Sequence, residues 1–268
     1  MTQKFAVTKE SCTHCGLCIQ DCPIYALEFD DEQFPQYAPG KAEFCIGCQH
    51  CLAICPSGAA SFGGKKPEHS HSVSLEHSAG LLQLIQSRRS IRRYKDAPVD
   101  SAAVQEIVKM LPFIPTAKNA DDLYFSLVAT KEKMDAILRV TYQKIAEMEN
   151  PTGLYLLAKE AFHAGKDLIF RGAPAMVAVA TDKETVAEGC ETVDSVIALS
   201  YFELYAQSLG LGTTWCGYAF MIAQQIPEMY ALLEIPENYT LGYTMLFGMP
   251  AVKYQRTTQP DMFKVNIL

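Results

Sequence analysis

Eight of the ten cysteines fall into two runs with one spacing. Cys12, Cys15, Cys18 and Cys22 precede Pro23; Cys45, Cys48, Cys51 and Cys55 precede Pro56. Both runs read C-x2-C-x2-C-x3-C-P. Three cysteines two residues apart let one tight loop present three thiolates to three irons of a cubane. Three further residues carry the fourth cysteine onto a following helical turn, pointing away from that loop, so that it ligates the other cluster. The spacing assigns Cys12, Cys15, Cys18 and Cys55 to one [4Fe–4S] cluster, and Cys45, Cys48, Cys51 and Cys22 to a second. Zinc takes paired C-x2-C elements across a longer gap and has no use for a third cysteine at the next triplet step. Clustered cysteines of this kind also argue against a disulfide framework.

A second set of residues has the types for anion or ring binding. In RRSIRRYKDAPV, residues 88–99, seven of the first eight side chains bond or stack: Arg88, Arg89, Ser90, Arg92, Arg93, Tyr94 and Lys95. Arginine forks suit a phosphate or a planar heterocycle with carbonyls. The other reading is a solvated basic turn, and spacing alone leaves both open. The remaining cysteines, Cys190 and Cys216, lack a visible base partner and read as packing residues. Trp215, the single tryptophan, either lines a ring or packs. Tyr155, Phe162 and Phe170 read as core residues before they read as pocket walls. The acidic run Glu28, Asp30, Asp31 and Glu32 reads as a solvated turn, and His69, His71 and His77 as solvated linker histidines.

These residues need elements to position them. The cysteine runs are an internal duplication over residues 1–62, with Ala26 and Phe29 of the first half standing where Ala59 and Phe62 stand in the second. Residues 63–78 are polar, rich in Gly and Ser, and aperiodic, as a linker is. From 79 to 268 strands and helices interleave. AGLLQLIQSRRS reads as an amphipathic helix with Leu81, Leu82, Leu84 and Ile85 on its apolar face. Strands are expected at 123–130, 175–182 and 239–250, and helices over 131–148, 154–171 and about 192–209. The class is α+β: a small cysteine domain, then a larger domain with a central mixed sheet flanked by helices.

Bulk properties exclude several functions. A net charge of −7 argues against a nucleic-acid partner. No apolar run reaches the roughly 18 residues of a membrane span. The opening MTQKFAVTKE lacks the apolar core of a signal peptide, which makes the expected location cytoplasmic. No G-x-G-x-x-G follows a strand, so no dinucleotide-binding fold is expected.

Residues 1–62 resemble the bacterial two-cluster ferredoxins, carried by the eight cysteines and both prolines. Residues 80–268 resemble the FMN-dependent nitroreductases. The carrying residues are Arg88-Arg89-Ser90-Ile91-Arg92, Pro115-Thr116-Ala117-Lys118-Asn119, Ala173-Pro174, Gly210 to Gly217, and Gly248-Met249-Pro250 with Lys253 and Arg256. The resemblance implies that Arg88, Arg89, Ser90 and Arg92 bind the FMN phosphate, ribityl chain and pyrimidine edge, and that Arg256 with Lys253 completes the phosphate site. It implies that Trp215, Cys216 and Gly217 run along the ring with a backbone N–H near N5. It implies a homodimer in which Pro115, Thr116, Ala117 and Asn119 reach the partner's flavin. The chain departs from the family at Asp121 and Asp122, where a Gln-Pro pair is usual, and at Thr116, where serine is commoner.

Together the two resemblances imply an iron–sulfur flavoprotein oxidoreductase. Electrons from an external low-potential donor, such as a ferredoxin-like protein, would reach FMN through the clusters and reduce an organic acceptor: a nitro compound, quinone or activated alkene. Two other readings stand beside it. One is a direct NAD(P)H-dependent nitro- or flavin reductase with structural or sensory clusters; the other is a non-catalytic electron carrier or redox sensor. No side chain is singled out as a catalytic acid or base.

Overall fold

The computed structural model describes residues 4–70, 78–259 and 263–268. His71 and His77 lie outside the described residues. The chain divides into two compact units, Met1–Glu76 and His77–Leu268.

The first unit pairs β1 (Phe5–Val7) antiparallel with β4 (Ala60–Phe62), and β2 (Leu27–Phe29) with β3 (Pro35–Tyr37). Two single-turn helices, α1 (Leu17–Gln20) and α2 (His50–Ala53), follow the cysteine loops. Phe5, Leu27, Leu52, Ala60 and Phe62 form the core with Cys18. The duplication is visible in the backbone. His14 and Gly16 take positive φ (56° and 69°) in the first loop, and Gly47 and Gln49 take it (70° and 60°) at the matching places in the second. Glycine supplies the left-handed conformation without steric cost, yet the two loops use it at opposite places. The first part of the expected linker folds onto this unit. Phe62 and Lys65 exchange backbone hydrogen bonds of 3.1 and 2.9 Å, Gly63 N–H donates to Lys4 O at 2.6 Å, and Pro67–His69 makes a 3₁₀ turn.

The second unit is built on a four-stranded sheet: β5 (Leu123–Val128), β6 (Ala175–Asp182), β7 (Gly212–Trp215) and β8 (Tyr239–Gly248), in the order β5-β6-β8-β7. These pairings are antiparallel. The parallel component among the described residues is the isolated bridge from Ser90 to Thr213 on the outer side of β7. Successive residues of a strand face opposite sides, and β6 buries both. Met176, Ala178 and Ala180 join one core with α5 (Lys131–Glu147), α6 (Gly153–His163), α8 (Gly217–Ala223) and α9 (Pro227–Leu232). Ala175, Val177 and Val179 join the other with α4 (Ser101–Met110) and α7 (Val193–Ser208). Asp100 caps α4 through Ala102 N–H at 3.0 Å, and Thr130 caps α5 through Lys133 N–H at 3.3 Å. In α3 (Ser78–Ser87) the apolar residues Leu81, Leu82 and Ile85 stand about half exposed.

One expected helix ends early. The apolar pattern over 154–171 predicts continuous helix, but α6 stops at His163. Gly165 turns left-handed at φ 73°, and the Asp167 carboxylate then draws the backbone away from the helical path. Its Oδ1 accepts Ile169 N–H (3.2 Å) and Phe170 N–H (2.9 Å), and its Oδ2 accepts Gly172 N–H (2.9 Å). An aspartate that binds backbone N–H groups just ahead of it favours turns over helix interiors.

Candidate functional site

The eight cluster cysteines surround two cavities. Cys45, Cys48 and Cys51 line one of about 360 Å³, and the fourth cysteine on its wall is Cys22, from the other repeat. Cys12, Cys15 and Cys18 line one of about 320 Å³, together with Cys55. Among the described residues no three His, Cys, Asp or Glu side chains converge closely enough to hold a single metal ion. Four thiols around each cavity are the donor set of a four-iron cluster. The crossing cysteines receive matching hydrogen bonds: Ala26 N–H to Cys22 Sγ at 3.3 Å, and Ala59 N–H to Cys55 Sγ at 3.2 Å. Burial pushes the Cys18 thiol up to about 11 and Cys51 up to about 12. Burial also acts on Cys55, but hydrogen bonds from Ala60, Ser57 and Ala59 outweigh it and hold this thiol below its ordinary value. Thiolate ligation must displace the protons of the raised thiols.

In the second unit the arginine segment lies along β7. Ile91 N–H donates to Thr213 O at 2.8 Å, and Thr214 Oγ1 donates to Ile91 O. Gly212 makes this approach possible, since a Cβ there would stand 2.8 Å from Ile91 Cβ. Beyond this contact, Arg92, Thr214, Trp215, Cys216 and Gly217 line a cavity of about 570 Å³, with Arg171 contributed by the loop after Asp167. Two guanidiniums and a wall of β7–α8 backbone fit a planar ring with a polar edge.

Arg88 and Arg89 are anchored. Arg88 Nη1 donates to Glu203 Oε1 at 3.1 Å. Arg89 donates to Arg88 O and, at 2.9 Å, to Thr258 Oγ1 in the tail. Glu203 is 6% exposed and also accepts Thr213 Oγ1 and Trp215 Nε1, each at 3.2 Å. Trp215 thus both lines the cavity and packs, its ring 5.6 Å from that of Tyr243. Cys216 is buried, with its thiol raised to about 11 by burial, and its N–H is committed to Thr244 O at 3.0 Å. The first N–H groups of a helix lack intrahelical partners, so Gly217, which opens α8, has an N–H available to serve a ring. Lys253 and Arg256 are exposed, just beyond a backbone pairing in which Lys95 N–H meets Met249 O (2.8 Å) and Ala251 N–H meets Arg93 O (2.9 Å).

Pro115, Thr116, Ala117 and Asn119 do not line this cavity. Ala117 N–H is held by the buried Asp194 carboxylate at 3.0 Å, at the start of α7. Glu203 lies nine residue steps along the helix from Asp194, or about 14 Å. The neighbouring Asp122 is 1% exposed, its carboxylate oxygens have no hydrogen-bond partner among the described residues, and burial holds it above its ordinary value. Phe170 is fully buried, Tyr155 packs against the core, and Phe162 stacks on Tyr142 at 4.0 Å. Glu203, Asp167 and Arg171 are the residues that sequence reasoning missed. A single acid in the apolar middle of α7 was the available signal for Glu203.

The nitroreductase family model matches residues 85–249. This chain belongs to the nitroreductase family. A 4Fe-4S dicluster domain model matches residues 11–68, ahead of it in the same chain. Among solved structures, a nitroreductase with bound FMN from Desulfitobacterium hafniense is 25% identical, with a TM-score of 0.57, over 70% of this chain and 97% of its own. An FMN reductase [NAD(P)H] of Bacillus subtilis is 26% identical over 186 residues, covering 69% of this chain and 72% of its own. Hydrogenase-4 component A of Escherichia coli is 32% identical over 74 residues, which span 27% of this chain and 34% of that protein. No helix among the described residues is long and apolar enough to cross a membrane.

Proposed function

We propose that this nitroreductase-family chain is an FMN-dependent iron–sulfur oxidoreductase that takes electrons from a low-potential donor at its dicluster domain and delivers them to an organic acceptor at its flavin-binding domain. The observation that carries the reading is the presence in one chain of two four-cysteine cavities and one arginine-lined cavity. When bound, the clusters supply single-electron carriage, and FMN supplies the exchange between single electrons and a hydride.

The chain's own residues prepare the sites. Arg92 and Arg171 present donors to the carbonyl edge of a ring, and Gly217 N–H presents one to its centre. Glu203 holds both Arg88 and Trp215, fixing the phosphate-side arginine and the ring-side indole from one carboxylate. Arg89, with Lys253 and Arg256 from the adjoining tail, completes the anionic end. Among the described residues no carboxylate or imidazole lines the smaller cavity, and its one thiol is raised to about 11, which leaves the Tyr218 hydroxyl or solvent to supply the proton for the acceptor. The half-exposed Leu81, Leu82 and Ile85, the exposed Phe113, and a 115–119 loop remote from its own chain's cavity support a homodimer in which that loop serves the partner's site.

The test compares Cys12→Ala/Cys45→Ala with the unsubstituted protein at equal FMN content, using a reduced two-cluster ferredoxin as donor and a nitroaromatic acceptor. Turnover should collapse in the variant; equal turnover would overturn the wiring. The Bacillus subtilis relative's name favours a second reading, direct reduction by NAD(P)H. Rapid loss of flavin absorbance on mixing the variant with NADH would support it.

A further inference from the structure

Arg92 and Arg171 also line a second, larger cavity of about 1030 Å³, whose charged wall is completed by Arg93, Lys131, Asp96 and Asp135. Lys131 and Asp96 satisfy each other at 2.7 Å. That leaves one carboxylate, Asp135, facing three guanidiniums, none of which has a hydrogen-bond or ion-pair partner among the described residues. Arg88 and Arg89, by contrast, are both tied to the protein. The floor is apolar: Met134 and Phe170 are buried, with Leu138, Tyr94 and Pro174 beside them.

The loop that carries Arg171 is built to place it. Arg171 takes φ 58°, a conformation that non-glycine residues seldom adopt, and Gly172 follows at 65°. Asp167 holds the turn through three backbone N–H groups. The Tyr142 hydroxyl donates to Asp167 Oδ1 at 2.8 Å and accepts Leu168 N–H at 3.0 Å. A rare backbone conformation held by this many bonds is a mark of a functional position.

We propose that the larger cavity binds the carboxylate end of the acceptor, so that the preferred acceptors are small unsaturated or nitroaromatic organic acids rather than neutral compounds. The apolar floor takes the flat body of such a molecule. Arg93 binds its carboxylate, while Arg92 and Arg171, which line both cavities, stand toward its other end and the smaller cavity. This rests on the smaller cavity being the flavin's.

Calorimetric titration of the oxidised full-length holoprotein at fixed ionic strength tests it, with 4-nitrobenzoate and its neutral counterpart 4-nitrobenzamide as probes. The benzoate should bind about tenfold more tightly. Arg93→Gln should lower benzoate affinity by about tenfold, the effect of one charge-assisted hydrogen bond, leave benzamide affinity and FMN content unchanged, and be largely rescued by Arg93→Lys. Equal affinity for the two probes in the unsubstituted protein overturns the proposal, as does an Arg93→Gln variant with normal FMN content and melting temperature that keeps its full benzoate preference. Selective benzoate binding without turnover of any acceptor would leave this inference standing and sink the oxidoreductase reading. Turnover of both probes with equal KM would do the reverse.

Discussion

Arg88 and Glu203 form an ion pair of 3.1 Å between the end of α3 and the middle of α7. The carboxylate is 8% exposed and the guanidinium 36%. The same carboxylate takes Trp215 Nε1 on its other oxygen, so one acid sets the positions of a cation at the start of the arginine segment and an indole at the end of β7. Glu203→Gln should weaken FMN retention by about 1–3 kcal/mol, the cost of losing charge on one partly exposed pair. It should also shift Trp215 fluorescence. Flavin-to-protein ratio and emission spectra, read together, check this; unchanged values for both would remove Glu203 from the site.

The approach of Ile91 to β7 depends on the absent side chain at Gly212. Gly212→Ala sets a methyl against Ile91 Cβ and must push the arginine segment off the strand. Overpacking of a tight contact costs about 1–3 kcal/mol. The expected outcome is a lower melting temperature together with loss of bound FMN. The double variant Gly212→Ala/Ile91→Ala should recover only part of both, because alanine keeps the Ile91 Cβ that stands 2.8 Å from the new methyl.

The two cysteine cavities make a sharp prediction about crossing ligands. Cys22→Ala should remove the cluster of Cys45, Cys48 and Cys51 and spare the other. Adding Cys45→Ala to it should then cost nothing more, whereas adding Cys12→Ala should empty both sites. Iron and sulfide analysis of anaerobically purified protein gives the answer. Equal losses in the two double variants would contradict the crossing.

Buried Cys216 should behave as an inert thiol. Its value, raised from 9 to about 11, lies above that of the unfolded chain, so the neutral form stabilises the fold below pH 9 and that contribution is lost as pH rises from 9 toward 11. The loss is on the order of 2 kcal/mol. Melting temperatures at pH 8 and 10.5 should converge in Cys216→Ala relative to the unsubstituted protein. Alkylation followed by mass spectrometry at pH 8 should leave this cysteine unmodified in the native state.

Asp122 gives a prediction of opposite utility. Its carboxyl is buried, unpartnered among the described residues and raised, so its charged form costs stability above the ordinary carboxylate range. Asp122→Asn should raise the melting temperature near pH 7.5 by about 2–4 °C, with the gain shrinking as pH falls toward 4.

What could be read from the sequence divides along physical lines. The α+β class, the dicluster pattern and the arginine segment were legible because each is written in neighbouring residues: cysteine spacing, helical and strand periods, a local excess of one charge. Glu203 was not, since its role arises from a contact 115 residues away in the chain. Arg171 was hidden more actively. Leu168, Ile169 and Phe170 continue the apolar period of α6, and only the bonding of Asp167 to the backbone shows that the helix has ended. The apolar face predicted for α3 exists in sequence, but Leu81, Leu82 and Ile85 stand half exposed in the single chain, because burying such a face requires a surface that periodicity does not name.

The alternating left-handed residues of the cysteine loops carry a last implication. Such alternation turns successive peptide N–H groups toward one side and makes a concavity suited to negative charge. Each loop is therefore an anion host in its main chain, before any side chain is counted. Among the described residues, the cavity of Cys12, Cys15, Cys18 and Cys55 has no lysine, arginine or histidine on its wall. In a chain with an excess of seven negative charges, thiolates are accommodated there by oriented peptide dipoles. The charge of the surrounding surface is thus free to vary without disturbing the immediate surroundings of these thiols.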